Sequence, residues 1–135
     1  MSKVNPTVVL CVDDDPTGLF ARRLILTIAG YDVLTAPSGD VALRIFRRRN
    51  VDLVITDHFL TGSTGVEIAV AMKQMKPEVL VVLLIGRPEL PPGAGQADLV
   101  LIKGMDPPKF LDAIARLLAR GQSSAGIDRR SDEDS

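Results

Sequence analysis

A chain of 135 residues with sixteen basic and seventeen acidic side chains carries a net charge of −1, so it has no bulk attraction for nucleic acid or an anionic membrane. Its longest apolar run, Val79 to Ile85, has seven residues, far short of the roughly 20 that a spanning helix needs. The 46% apolar content excludes a disordered chain, and the single cysteine, Cys11, excludes an internal disulfide framework.

Five aliphatic runs read as strands. Val8–Val12, Leu53–Ile55, Val79–Ile85 and Leu99–Ile102 are continuous, as in strands buried on both faces of a parallel sheet. Tyr31–Ala36 is weaker and follows Gly30, which suits a helix end. Between the runs lie helical stripes. Phe20, Ala21, Leu24, Ile25 and Ile28 form the first, after Asp15 and Pro16. Val41, Ala42, Ile45 and Phe46 follow Ser38 as N-cap, and Arg47–Arg49 close that helix as cations complementing its dipole. Thr64 and Glu67 have capping-box spacing ahead of Ala69, Val70 and Lys73. Met72 and Met75 on that helix read as core packing. Residues 86–98 hold three prolines and three glycines, which predicts a loop with at most one helical turn. The last stripe, Phe110, Leu111, Ile114, Leu117 and Leu118, follows Asp106 and Pro107. Alternating strands and helices imply a doubly wound α/β fold with helices on both faces, its fourth helix short or missing. Residues 1–120 read as one domain and 121–135 as a disordered tail. The N-terminus lacks the apolar stretch of a signal peptide, so a reducing, cytoplasmic setting is expected.

Chemistry concentrates where strands end. The first strand runs into Asp13-Asp14-Asp15-Pro16 and the third into Asp57. In an open parallel sheet the carboxyl ends of adjacent strands border one crevice. Carboxylates gathered there repel one another. A hard divalent cation such as Mg²⁺ (or Mn²⁺) removes the conflict, and Lys103, ending the last strand, adds a point charge for a phosphoryl oxygen. Carboxylate nucleophile, metal and lysine suffice for phosphoryl transfer to an aspartate. His58, beside Asp57, is expected to face solvent, and Cys11 to be a buried small hydrophobe.

Asp13-Asp14-Asp15-Pro16, then Asp52 to Asp57 with Gly65 eight residues on, Ala97-Asp98 and Ile102-Lys103 together resemble the bacterial two-component response-regulator receiver domain, chemotaxis-regulator-like and stand-alone, over residues 7–119. That resemblance implies a flavodoxin-like five-stranded parallel sheet of order 2-1-3-4-5. It implies a signalling phosphoacceptor rather than an enzyme, with self-catalysed phosphorylation and dephosphorylation as its own chemistry. Asp57 would accept the phosphoryl group from a histidine kinase or phosphotransfer protein, and Lys103 would contact that group. Asp14, Asp57 and the main-chain carbonyl of Phe59 would ligate Mg²⁺, with Asp13 acting through water. The output would be contact with a downstream protein, with no nucleic acid or membrane partner.

The chain departs from the family pattern in its relay. Ile85 stands where a Ser or Thr usually binds the phosphoryl group, and Val100 where the switch aromatic usually lies. Thr61 and Gly104 replace the usual prolines. These changes motivate a second reading, a phosphorylation-independent pseudo-receiver interaction module. A third reading rests on Asp13-Asp14-Asp15-Pro16-Thr17, which matches the Asp-x-Asp-x-Thr of haloacid-dehalogenase-like phosphatases, with Asp13 as nucleophile.

Overall fold

The computed structural model describes residues 6–134, with side chains for residues 6–121. It separates into two compact units, Met1–Gly104 and Met105–Ser135. The first unit holds five parallel strands, β1 (Val8–Val12), β2 (Asp32–Ala36), β3 (Leu53–Asp57), β4 (Leu80–Ile85) and β5 (Leu99–Ile102). They are ordered β2-β1-β3-β4-β5. The most apolar runs occupy the centre: every residue of β3, and all but the first of β1 and of β4, is buried. Edge strands β2 and β5 are only half-buried, and the polar Asp32 and Thr35 fall on one of them.

Three helices connect these strands: α1 (Pro16–Ile28), α2 (Gly39–Arg48) and α3 (Gly65–Met75). Each begins where a side chain replaces a missing intrahelical partner. Asp15 accepts from the Thr17 amide, and Ser38 from the Val41 amide. Thr64 and Glu67 complete a reciprocal capping box. On one face of the sheet, Ala42 and Phe46 of α2 and Ile68, Ala69 and Met72 of α3 meet Leu10, Val12, Val54 and Val81. Strand residues of opposite parity, such as Val9, Cys11, Leu53 and Ile55, are equally buried on the other face. There α1 lies along β1 and β2. Cys11 is a buried small hydrophobe, its thiol pushed up to about 12 by burial.

Two apolar assignments are corrected. On α1 the buried apolar residue is Leu26, while Phe20, Leu24 and Ile28 of the sequence stripe are exposed. A broad spread of apolar residues left the phase of the helix undetermined, and the sheet selected the face containing Leu26. On α3, Met72 is fully buried but Met75, at the last position of the helix, is 37% exposed.

A fourth α-helix is not missing: α4 (Pro107–Asp134) forms the second unit, with Phe110, Ile114 and Leu117 buried. The link from β4 to β5 carries a 3-10 turn, Ala94–Gln96. Asp98 anchors that link by accepting the Val81 amide at 2.7 Å and pairing with Lys73 at 2.8 Å. Backbone helix continues into the segment read as a disordered tail, whose side chains from residue 122 on lie outside the described residues. Among the described residues no helix is long and apolar enough to cross a membrane.

Phe46 is the largest fully buried side chain, and Lys76 sits 4.6 Å over its ring while donating to the carbonyls of Phe46 and Arg49. Truncation opens a cavity between α2, α3 and the sheet and removes the face that Lys76 covers. Phe46→Ala should therefore lower unfolding free energy by about 3–5 kcal/mol in urea titration. A loss below 1 kcal/mol would contradict this packing.

Candidate functional site

The register places the site. Val12 pairs with Thr56, so Asp13 and Asp57 leave adjacent strands at the same level. Asp57 pairs with Leu84, and Ile85 with Ile102. Lys103 therefore leaves β5 two residues beyond that level and reaches back across β4. Its amide donates to the Ile85 carbonyl at 2.8 Å, which fixes the direction of approach. Its Nζ lies 3.0 Å from Asp57 Oδ2 and 3.8 Å from Asp13 Oδ2.

Ligand atoms of Asp13, Asp14 and Asp57 lie within 4.8 Å of one another. Oxygen donors at that spacing fit a hard divalent cation. Each carboxylate also has its own protein partner. Asp13, 1% exposed, accepts the Asp15 amide on Oδ1 at 2.9 Å and the Arg22 guanidinium on Oδ2. Asp57, 6% exposed, accepts Lys103. Asp14, at the surface, accepts both the Thr61 amide at 2.9 Å and its hydroxyl at 2.8 Å. These hydrogen bonds, hydroxyl first, hold the Asp14 carboxyl below its ordinary value, with Lys103 adding a smaller attraction and desolvation opposing.

A short hairpin, Phe59–Leu60 paired with Ser63–Thr64, follows β3 and turns through Gly62 at φ +84°. It carries Thr61 to Asp14. Phe59, the residue implied as a carbonyl ligand, lies on this hairpin with its side chain 72% exposed. Gly65 closes it: the Gly65 amide donates to the His58 carbonyl at 2.7 Å. A Cβ on Gly65 would stand 2.5 Å from Leu83 Cδ1 and 2.6 Å from the Asp57 carbonyl oxygen. Only glycine lets α3 start this close to β3.

His58 is buried, not solvated, and its Nδ1 has no hydrogen-bond partner. The chain bends at His58, whose amide is bonded to the Leu84 carbonyl, and the side chain lies inward beside the Phe59 ring. Ile85 is buried in an apolar cluster with Leu83 and Ala94, against which Val66, Ala97 and Val100 pack. Gly104 takes φ +88° after Lys103, a conformation that glycine adopts without strain.

Sequence reasoning brought together Asp13, Asp14, Asp57 and Lys103 but missed Arg22 and the Thr61–Asp14 link. The phase of α1 carried the first: with Leu26 inward, Arg22 lies one turn earlier on the buried face. No local signal carries the second, because residues 14 and 61 meet only through the sheet.

Comparison with known proteins agrees with this geometry. Residues 9–115 match the family described as the response regulator receiver domain. The transcriptional regulatory protein GlrR of Escherichia coli K12 is 32% identical over 127 residues, covering 93% of this chain and 29% of that protein. KdpE of Mycobacterium tuberculosis H37Rv is 36% identical over 77 residues, covering 57% of this chain and 34% of that protein. The chain thus spans about a third or less of the length of these curated relatives. The response regulator TrrA of Thermotoga maritima, solved in complex with Mg²⁺-BeF, superposes with a TM-score of 0.78 at 27% identity, covering 82% of this chain and 98% of that one. A receiver domain protein of Methanospirillum hungatei JF-1 superposes with a TM-score of 0.83 at 22% identity, covering 89% and 99%, and shares the fold.

Two variants test the site's construction. Gly65→Ala should destabilise the protein by about 1–3 kcal/mol, since the backbone of β3 cannot yield as a side chain would; an unchanged urea midpoint would refute the close approach. Thr61→Val keeps the amide donor but deletes the hydroxyl. Wild-type Asp14 should titrate below the ordinary value, so whatever stability its carboxylate adds is complete above that value and lost as pH falls through the lowered one. In Thr61→Val the Asp14 Cγ resonance should titrate at higher pH; an unmoved midpoint would remove Thr61 as the cause.

Proposed function

The chain belongs to the response regulator receiver family, a signalling phosphoacceptor rather than a classical enzyme, and on that footing we propose that Asp57 is the residue phosphorylated. One observation carries the assignment: Lys103 Nζ reaches Asp57 Oδ2 at 3.0 Å beside two further carboxylates. The phosphodonor class is a phosphohistidine on a kinase or phosphotransfer protein, which puts the domain in the cytoplasm with residues 1–120 acting as the receiver. A carboxylate oxygen of Asp57 attacks phosphorus, the P–N bond to the donor breaks, and the departing imidazole keeps the bonding pair and takes a proton. An acyl phosphate results. Lys103 holds the attacking carboxylate and then a phosphoryl oxygen through charge-assisted hydrogen bonds. Asp14, Asp57 and the Phe59 carbonyl would hold Mg²⁺ or Mn²⁺, with Asp13 acting through water. When bound, the ion neutralises charge developing on the phosphoryl oxygens.

Asp13 is poorly suited to be the nucleophile of a phosphatase. Both its oxygens are engaged and it is 1% exposed, while Lys103 stands nearer to Asp57. The output side differs from the usual pattern. Ile85 has no hydroxyl to follow a phosphoryl oxygen, and Val100 packs against its cluster. The proposed response to phosphorylation is therefore small at these positions, and the downstream target is a protein contacted by the domain's own surface. The same buried Ile85 favours, as a second reading, an interaction module that works without phosphorylation.

Incubation with acetyl phosphate and Mg²⁺ should add one phosphoryl mass to the wild type and none to Asp57→Asn. Absence of the adduct under forcing conditions, or its persistence in Asp57→Asn, would reject Asp57 as acceptor. Equal partner binding by wild type and Asp57→Ala would favour the phosphorylation-independent module.

A further inference from the structure

Building on the receiver reading above, we propose that Arg22 is a counter-cation built into the acidic site, which neutralises Asp13 in the metal-free protein and weakens Mg²⁺ binding. The placement is specific. Arg22 lies inside α1 with its side chain 14% exposed, and its guanidinium pairs with the almost fully buried carboxylate of Asp13. Helical side chains lean toward the N-terminus, so residue 22 covers the surface above residue 18. That residue is Gly18. A Cβ there would lie 3.2 Å from Asp15 Oδ2, 3.3 Å from Asp13 Oδ2 and 3.4 Å from Arg22 Nη2. A residue that costs helix stability thus leaves the lane through which the guanidinium reaches the carboxylates.

The electrostatics agree with the placement. Burial draws the Arg22 guanidinium down, and attraction to the Asp57 carboxylate opposes it. Three carboxylates against Lys103 alone would leave two negative charges, the complement of a divalent ion. With Arg22 only one remains. Both Asp13 oxygens already have a protein partner, Oδ1 the Asp15 amide and Oδ2 the Arg22 guanidinium. A metal-held water at Asp13 would share that carboxylate with the guanidinium, and the ion itself would meet the guanidinium's positive charge. Lys103, at 3.8 Å from the same oxygen, is a second and more distant cation on Asp13. Arg22 thereby stabilises the site without metal and raises the Mg²⁺ concentration at which it loads.

The test compares wild type, Arg22→Met and Arg22→Lys by calorimetric titration with MgCl₂ and by thermal melting in EDTA and in saturating MgCl₂. Arg22→Met preserves length and helix propensity but removes the charge. It should bind Mg²⁺ about tenfold more tightly, melt lower in EDTA, and gain more from Mg²⁺ than the wild type does. Arg22→Lys keeps the charge and should stay close to wild type in affinity. Should wild type bind Mg²⁺ and Arg22→Met bind no more tightly, the role of Arg22 is overturned while the receiver reading stands. Should Arg22→Lys match the tighter binding of Arg22→Met, packing rather than charge is responsible, and the inference is again overturned. Should neither wild type nor Arg22→Met bind the ion, the metal assignment beneath both readings falls. An Arg22→Met protein that folds only with Mg²⁺ supports the inference; one unfolded even at saturating Mg²⁺ overturns it, because the added ion replaces the lost cation.

Discussion

Three carboxylates held within 4.8 Å of one another set the terms for the rest of the site. Such a cluster is unfavourable unless each charge is compensated, and two of these groups are too buried for water to do it. The fold supplies a hydrogen-bond partner for each: a lysine just past β5 for Asp57, an arginine from α1 for Asp13, and the amide and hydroxyl of Thr61 for Asp14. Lys103 is shared, lying 3.0 Å from Asp57 and 3.8 Å from Asp13 and adding a smaller attraction on Asp14, while Arg22 and Thr61 add closer partners for Asp13 and Asp14.

Sheet topology makes this possible. Parallel strands put their carboxyl ends on one edge, and the order β2-β1-β3-β4-β5 brings the two acid-bearing strands side by side. The central strands are mostly aliphatic and buried on both faces, and their paired register sets Asp13 and Asp57 at the same level. Gly65 and Gly18 then remove side chains where other groups must pass, the first for α3 against β3 and the second for Arg22 against Asp13. Stability and site geometry are thus set by the same contacts.

The opposite half of the crevice is built on packing instead of polarity. Ile85 ends β4 inside an apolar cluster with Ala94, and Val66, Ala97 and Val100 close around it. The 3-10 turn Ala94–Gln96 belongs to this cluster, tied down at Asp98 by Lys73 and the Val81 amide. A segment rich in proline and glycine is therefore held by one buried alanine and one anchored carboxylate.

Much of this was legible from residue order alone. Continuous aliphatic runs located the strands, cap residues such as Ser38 and the Thr64–Glu67 pair located helix starts, and charged residues at strand ends identified Asp13, Asp14, Asp57 and Lys103. These are local signals, carried by residues a few positions apart. The α1 stripe of Phe20, Leu24 and Ile28 was misassigned because apolar residues on several sides of a helix do not choose its inward face. His58 was expected outside because its neighbour ends a strand, whereas the hairpin beyond it turns the side chain in. The contact of Thr61 with Asp14 across 47 residues, and the helix orientation that aims Arg22 at Asp13, were decided by the tertiary structure. Sequence determined which groups carry charge and where each strand ends; only packing against the sheet determined which charges face one another, because the rotation of a helix about its axis is fixed by the surface it buries.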